Sequence, residues 1–287
     1  MSTVITQAGY EVWFQCGRAA YPAPLLDGLK DISNEPPYVP ESRTKLESLQ
    51  LALSDFARAN AKGNLGLVVR PLANRAGRHV WKEIKNEDKN DLTSAFTVKV
   101  PDGDRLIPEG DYPPTPEALD RIQDDYDVYM TTLGAKAVKT ILVKEIQRLG
   151  GVRIDGKDAY FLPPESIDQW NLVVDVVRSV TVHHDAKFYE QKYELNGSAL
   201  EAVQVAVEDE VTTAVDSILE ELSHGQFTDR VANNRLDKLA ALSEKMKRYE
   251  NLFNAGLQAC NYKMNEVINA MSQSIAAADD DVFDTAV

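Results

Sequence analysis

The chain has 287 residues, 44% of them hydrophobic and 26% charged, and 31 Lys+Arg against 45 Asp+Glu give a formal charge of −14. That length allows two structural units, or one unit with a long helical extension, and the apolar fraction excludes a chain that is disordered throughout. The acidic balance repels phosphate at long range, which argues against nucleic acid or an anionic membrane covering the whole surface.

Residues 1–110 read as a mixed α/β head. Strands are predicted over Tyr10–Cys16, Leu65–Leu72, His79–Lys85 and Ala95–Val100, with an amphipathic helix over Ser42–Ala61. In that helix Leu46, Leu49, Leu53 and Phe56 keep steps of three and four, and Ser42 is the expected N-cap. Asp102–Pro116 is rich in Pro, Gly and Asp and is taken as the domain boundary, after which Thr115-Pro116-Glu117 opens a helix with a cap followed by proline.

Residues 115–195 form the next unit. Between Thr132 and Trp170, Val138, Ile141, Leu142, Ile146 and Leu149 fall at helical spacing, and Gly150 and Gly151 supply a C-cap. Val152–Ile154 and Ala159–Leu162 then flank an Asp-Gly-Lys-Asp turn of hairpin type. Helix, hairpin and helix in that order predict a winged-helix-like segment, with one of Tyr160 and Phe161 facing the core and the other the surface.

Residues 198–276 predict a long antiparallel helical hairpin. Leu200, Val203, Val207, Val211, Val215, Ile218 and Leu222 make one stripe, and a second runs from Leu239 through Tyr249, Phe253 and Leu257 to Ile275. The second stripe advances 36 residues in ten steps. A mean step of about 3.6 favours a nearly straight helix over a regular supercoil. Its far end needs a partner, the winged-helix-like unit or a second subunit, giving a dimer or an intramolecular three-helix layer, and Tyr249, Phe253 and Leu257 are the expected interaction or self-association surface. Residues 277–287 read as an acidic disordered tail, in which Phe283 is not terminal as a docking tip would require. The expected class is therefore α+β, in three consecutive parts and a tail.

Chemistry is thinly marked. Lys136, Lys139, Lys144, Arg148, Arg153 and Lys157 exceed Glu145, Asp155 and Asp158 by three, and in a winged helix Lys139, Lys144, Arg153 and Lys157 would touch phosphate. Glu221 and His224 have the spacing of a metal bundle, but His224 is better explained as a helix C-terminal donor and the second such pair is missing. His183 and His184 are neighbours and point apart, which fits an exposed loop. Asp102 and Asp155-Gly-Lys157 are poorly spaced for a nuclease, and Gly63-Asn-Leu-Gly66 lacks the residues of a phosphate loop. Cys16 and Cys260 give neither a disulfide framework nor a metal quartet, so reduced thiols in a cytoplasm are expected. No signal peptide and no membrane helix is predicted, nor any catalytic group, metal or cofactor.

The run from Gly150 to Pro163, with Tyr160, Phe161 and Pro163 as its most distinctive residues, resembles an uncharacterised family of bacterial and phage proteins that place a glycine-x-Tyr-Phe-aliphatic-Pro hairpin after a helix. The resemblance spans residues 40–255 and continues into the stretch around Leu242–Leu252. It implies this architecture and an origin in a bacterial or phage cytoplasm, and transfers no activity. The expected function is a non-enzymatic interaction or regulatory protein acting through its helical hairpin. The alternatives are a DNA-associated regulator and a metal-dependent enzyme.

Overall fold

The computed structural model describes residues 8–270 apart from 34–36, 62–64, 73–76, 86–89, 100–104, 155–157, 195–196, 224–228, 254–256 and 258–259. Along the chain run β1 (Ala8–Gln15), β2 (Ala19–Ala20), α1 (Pro22–Ile32), α2 (Lys45–Ala59), β3 (Leu65–Pro71), β4 (Gly77–Lys85), β5 (Asn90–Lys99), β6 (Pro108–Glu109), α3 (Pro116–Thr131), β7 (Leu133–Gly134) and α4 (Ala135–Arg148). There follow β8 (Val152–Arg153), β9 (Ala159–Leu162), α5 (Ile167–Val180), β10 (Lys187–Glu194), α6 (Gly197–Ser223), α7 (Asp229–Phe253) and a further helical stretch, α8, over residues 260–270. The fold is α+β. Its two compact units are not consecutive in sequence: Met1–Phe14, Glu145–Asn171 and Phe188–Val287 make the first, Gln15–Lys144 and Leu172–Lys187 the second. The boundary expected at 102–116 thus lies within the second unit, because α2 and the strands before it share one core with α3 after it.

In the second unit β3, β4, β5 and β6 form an antiparallel sheet in that order, with a bulge between Val80 and Trp81. Helices α2 and α3 supply Leu49, Leu53, Ile122 and Tyr126 to a core shared with Val80 and Phe96 of the sheet. The cap of α2 is Thr44, two residues beyond the expected Ser42. Thr44 Oγ1 accepts from the Glu47 N–H at 3.2 Å and Glu47 Oε2 accepts from the Thr44 N–H at 2.9 Å, a reciprocal box that Ser42 has no glutamate to complete. Thr115 caps α3 as expected, accepting from the Ala118 N–H at 3.3 Å with Pro116 behind it.

The first unit is built on the sheet β10-β1-β9-β8. Strand β9 is antiparallel to both neighbours, and Gln191 beside Glu11 with Tyr189 beside Trp13 sets β10 antiparallel to β1. Gly9 permits the close approach of β1 to β9, since a Cβ there would strike the Phe161 ring. The hairpin β8–β9 is therefore part of a four-stranded sheet. Both faces of β9 are covered: Phe161 packs on Tyr193 and Tyr249, and Tyr160 stacks on Phe14 in a cluster with Trp170 and Phe188. Tyr160 and Phe161 are both buried, which corrects the expectation that one would face solvent. A single hairpin has one free face; a strand with aromatic partners on each side has none.

Apart from the half-buried Leu200, the described residues of the helical stripes are buried as their periodicity predicts. Val203, Val207, Val211, Val215 and Ile218 of α6 share one core with Leu239, Leu242, Met246, Tyr249, Phe253, Leu257, Cys260, Met264 and Val267. Ion pairs Lys245–Glu210 at 2.8 Å and Arg235–Glu221 at 2.7 Å fix α6 and α7 as an antiparallel pair. The second helix is not straight, however. Glu250 Oε1 accepts at 2.9 Å from both the Leu257 N–H and Asn261 Nδ2, whereas eleven residues of straight helix would span about 16 Å. Lys263 reaches Asp216 at 3.3 Å, so α8 lies along α6 and completes a three-helix layer within the chain. Tyr249, Phe253 and Leu257 are thus core residues, not the interaction surface expected of them. Met271, Ile275 and the acidic tail lie outside the described residues.

Helix α4 ends on Gly150, whose φ of 80° closes the turn while the Gly151 N–H donates to the Ile146 carbonyl at 2.7 Å. A Cβ at Gly150 would run into the Arg248 guanidinium. The carbonyls at this helix end are met from α7: Tyr249 Oη donates to Gly150 O at 2.8 Å, Lys245 Nζ to Gly151 O at 2.8 Å, and Arg248 Nη1 to Leu149 O at 3.2 Å.

Two-sided burial of β9 gives a direct expectation. Phe161→Ala and Tyr160→Ala should each cost about 3–5 kcal/mol in a urea titration. A loss below about 1 kcal/mol at either position would show that its face of the sheet is not packed.

Candidate functional site

The second unit contains a cavity of about 680 Å³, lined among others by Arg18, Asp55, Arg58, Arg121, Asp125 and His183. Arg18 follows β1, Asp55 and Arg58 stand one turn apart on α2, Arg121 and Asp125 one turn apart on α3, and His183 follows α5. Asp55 is the centre of the arrangement, with only 19% of its side chain exposed. Its Oδ1 accepts from Arg18 Nη1 and from Arg58 Nη1, each at 2.9 Å, and its Oδ2 accepts from the Tyr129 hydroxyl. Arg18 also donates through Nε to Asp185 Oδ2 at 3.1 Å and through its backbone N–H to the same carboxylate.

A third arginine holds this cluster from behind. Arg43 donates to the carbonyls of Arg18 and Leu133 and to Thr132 Oγ1, and its guanidinium lies 5.0 Å from the centre of the Tyr129 ring. It thereby ties together the ends of the β2–β7 pair, in which Ala19 faces Gly134 and Ala20 faces Leu133. Burial lowers the Arg43 pKa from its ordinary value; for Tyr129, burial and then the bond to Asp55 push the phenol up. Burial works against the Arg18 charge, but the Asp185 bond and the Asp55 charge outweigh it and hold its pKa above the ordinary value. In this cluster Arg18, Arg58, Asp55 and Asp185 hold one another by ion pairs, while Arg43 is held by carbonyls, a hydroxyl and a ring.

Asp125 differs. Burial first, and then the negative charge of Asp55, raise its pKa above the ordinary aspartate value, against smaller opposing effects of His183 and Arg18. His183 is exposed, with its ring 6.4 Å from that of Tyr129. Cys16, also in this unit, has its thiol pushed up to about 11 by burial, against the nearby charge of Lys139, so it is protonated near neutrality. Among the described residues no group of three or more His, Cys, Asp or Glu side chains is placed to hold a metal ion, and no helix is long and apolar enough to cross a membrane.

None of the described basic residues singled out in the sequence lines this cavity. Lys139 and Lys144 are exposed on α4 in the second unit, and Arg153 is exposed on β8 in the first, where it pairs with Asp158 at 3.2 Å. Lys157, Asp155, Asp102 and His224 lie outside the described residues, as do two of the four residues from Gly63 to Gly66. Glu221 is taken by Arg235 through two bonds of 2.7 and 2.9 Å. Sequence reading missed Arg18, Arg43, Asp55, Tyr129 and Asp185, whose separations follow no motif. Only the capping box beside Arg43 left a local mark.

The chain matches one family over residues 8–281, nearly its whole length. It belongs to the family of unknown function DUF6744. No curated protein and no solved structure matches it.

Two outcomes follow for the cluster. Asp55→Asn removes the charge that three donors share and should cost about 1–3 kcal/mol, whereas Arg105→Ala, which breaks an exposed pair with Asp120, should stay within about 0.5 kcal/mol. Equal effects in thermal unfolding would deny Asp55 its central place. For Asp125 the sign runs the other way. With its folded pKa raised, its contribution is fully present below the ordinary aspartate value and is lost as pH rises through the raised one. Asp125→Asn should therefore raise Tm at neutral pH, with the gain vanishing in acid; a lowered Tm at neutral pH would contradict this.

Proposed function

We propose that this protein is a non-enzymatic interaction or regulatory component of a bacterial or phage cytoplasm, acting through the outer face of its C-terminal helices. The observation that carries the reading is the state of Asp55, which already holds Arg18, Arg58 and Tyr129. A carboxylate so occupied positions its neighbours and has little left to offer a reacting proton. The thiols support the same view, since burial raises the pKa of both Cys16 and Cys260, and both are free of disulfides.

The apolar stripe of the helical layer is consumed inside the chain, so the surface offered to a partner is the opposite one. On α8, Cys260, Met264 and Val267 face inward while Tyr262 is 66% exposed. A large aromatic with a polar tip is the kind of side chain that anchors protein contacts. The DNA-associated reading is supported by the exposure of Lys139 and Lys144; Arg153, the third of its described residues, pairs with Asp158.

Quantitative co-purification from the native host tests this. Tyr262→Asp should lose the proteins retained by the wild type at unchanged Tm, while the pair Asp125→Ala and His183→Ala should retain them. Retention by Tyr262→Asp together with loss by the cavity variant would move the function to the cavity. Salt-sensitive duplex binding removed by Lys139→Glu and Lys144→Glu would instead make the DNA-associated regulator the better account.

A further inference from the structure

Strand β10 is an outer strand of its sheet, and six of its eight residues, Lys-Phe-Tyr-Glu-Gln-Lys-Tyr-Glu, are exposed. An open edge is a template for another strand unless its charges repel the newcomer, as runs of lysine do. Here the charges alternate in sign, so a second copy of the same strand meets a different pattern from the one it would meet on a uniformly basic edge.

Symmetry limits how two copies of one strand can pair. Antiparallel edges related by a twofold axis perpendicular to the sheet must set one residue opposite itself, and all others follow from that choice. Centring the axis on Glu190 opposes two identical carboxylates and puts Lys192 against Phe188. Centring it on Gln191 opposes amide to amide, Glu190 to Lys192 twice, and Tyr189 to Tyr193 twice. The faces also agree. Tyr189, Gln191 and Tyr193 lie on the side of Trp13, Glu11 and Phe161, while Phe188 packs with Phe14 and Trp170 on the other, the side to which Glu190 and Lys192 belong by alternation. Two ion pairs would thus form on one face and two aromatic pairs on the other, the cross-strand contacts that stabilise antiparallel sheets.

We propose that β10 pairs with β10 of a second copy of this chain about a twofold axis at Gln191, joining two four-stranded sheets into one of eight strands. Neighbouring side chains already hold the central residues in place. Gln191 Nε2 donates to Glu11 Oε2 at 2.6 Å and Tyr189 stacks on Trp13 at 5.5 Å, so little ordering remains to be done when the partner arrives. A single strand pair is a small interface, and the dimer is correspondingly weak and reversible. The inference is independent of the proposed outer-face contact, since none of its residues belongs to α8.

A charge swap tests both the contact and its register. Sedimentation velocity over a concentration series of the full chain should show a reversible dimer. Glu190→Lys and Lys192→Glu should each raise the dissociation constant by about tenfold or more, because each turns two attractive pairs into two repulsive ones. Mixing the two variants in equal amounts should restore dimer, since each then supplies the charge that the other lacks, and the double variant Glu190→Lys/Lys192→Glu should dimerise like the wild type. A wild type that stays monomeric at its highest soluble concentration overturns the proposal. So does a dimer that neither single change weakens, or single variants that fail to recover on mixing while their circular dichroism shows them folded.

Discussion

Three consecutive carbonyls after the last turn of α4 set the terms for the first unit. Leu149, Gly150 and Gly151 are buried, and a buried carbonyl without a donor costs about 1–3 kcal/mol. All three are met by side chains. Ser166 and Arg248 serve Leu149, Tyr249 serves Gly150, and Lys245 serves Gly151. Lys245, Arg248 and Tyr249 lie within about one helical turn of α7. Their common target fixes the rotation of that helix about its axis. With the rotation fixed, the stripe from Leu239 to Phe253 must face α6 and the sheet, and Phe161 must meet Tyr249. The cost of the arrangement is visible in Lys245, whose side chain is 9% exposed and whose pKa is lowered by burial despite the carboxylate of Glu210 beside it. A lysine so placed is retained for the carbonyl and carboxylate it satisfies, and its removal would leave both without their donor.

Periodicity and caps were readable because they are local. The steps of three and four in α6 and α7 identify the residues that are buried, Thr115-Pro116 marks the start of α3, and Gly150-Gly151 marks the end of α4. The errors arose where a distant segment intervened. Tyr160 and Phe161 look like an alternating pair until β1, α5 and β10 supply a second covered face. The boundary at 102–116 looks sound until α2 before it and α3 after it are found in one core. The stripe past Phe253 keeps its 3.6 period although α8 lies back along α6, and only Gly256, in an otherwise helical pattern, marks a break in the sequence. For α2 the better signal was present in Thr44-Lys-Leu-Glu47, a capping box that outranks a lone serine.

Apart from the capping box beside Arg43, the cavity cluster was not readable. Arg18 and Asp185 stand 167 residues apart, and Tyr129 and Asp55 are 74 apart. Such pairs are set by the meeting of α2, α3 and the β2–β7 ends, and no spacing rule can announce them. The burial of Asp55 is also what makes the cluster structural. Once Asp55 is withdrawn from water it must be paired, and Arg18, Arg58 and Tyr129 do that while Arg43 fixes the backbone beneath them. Asp125 stands apart as a carboxylate whose ionisation the surroundings oppose. Charge in this unit is therefore organised around one satisfied centre and one strained neighbour.

Native-state hydrogen exchange on the variant Lys245→Met/Tyr249→Phe tests most directly whether α7 holds the end of α4 and the sheet together. Protection of the amides of Gly151 to Ile154 and Ala159 to Leu162 should fall in step with that of α7, since both depend on the same side chains. Loss of protection confined to α7, with the β8–β9 amides exchanging as in the wild type, would show that the sheet stands without this junction and contradict the account.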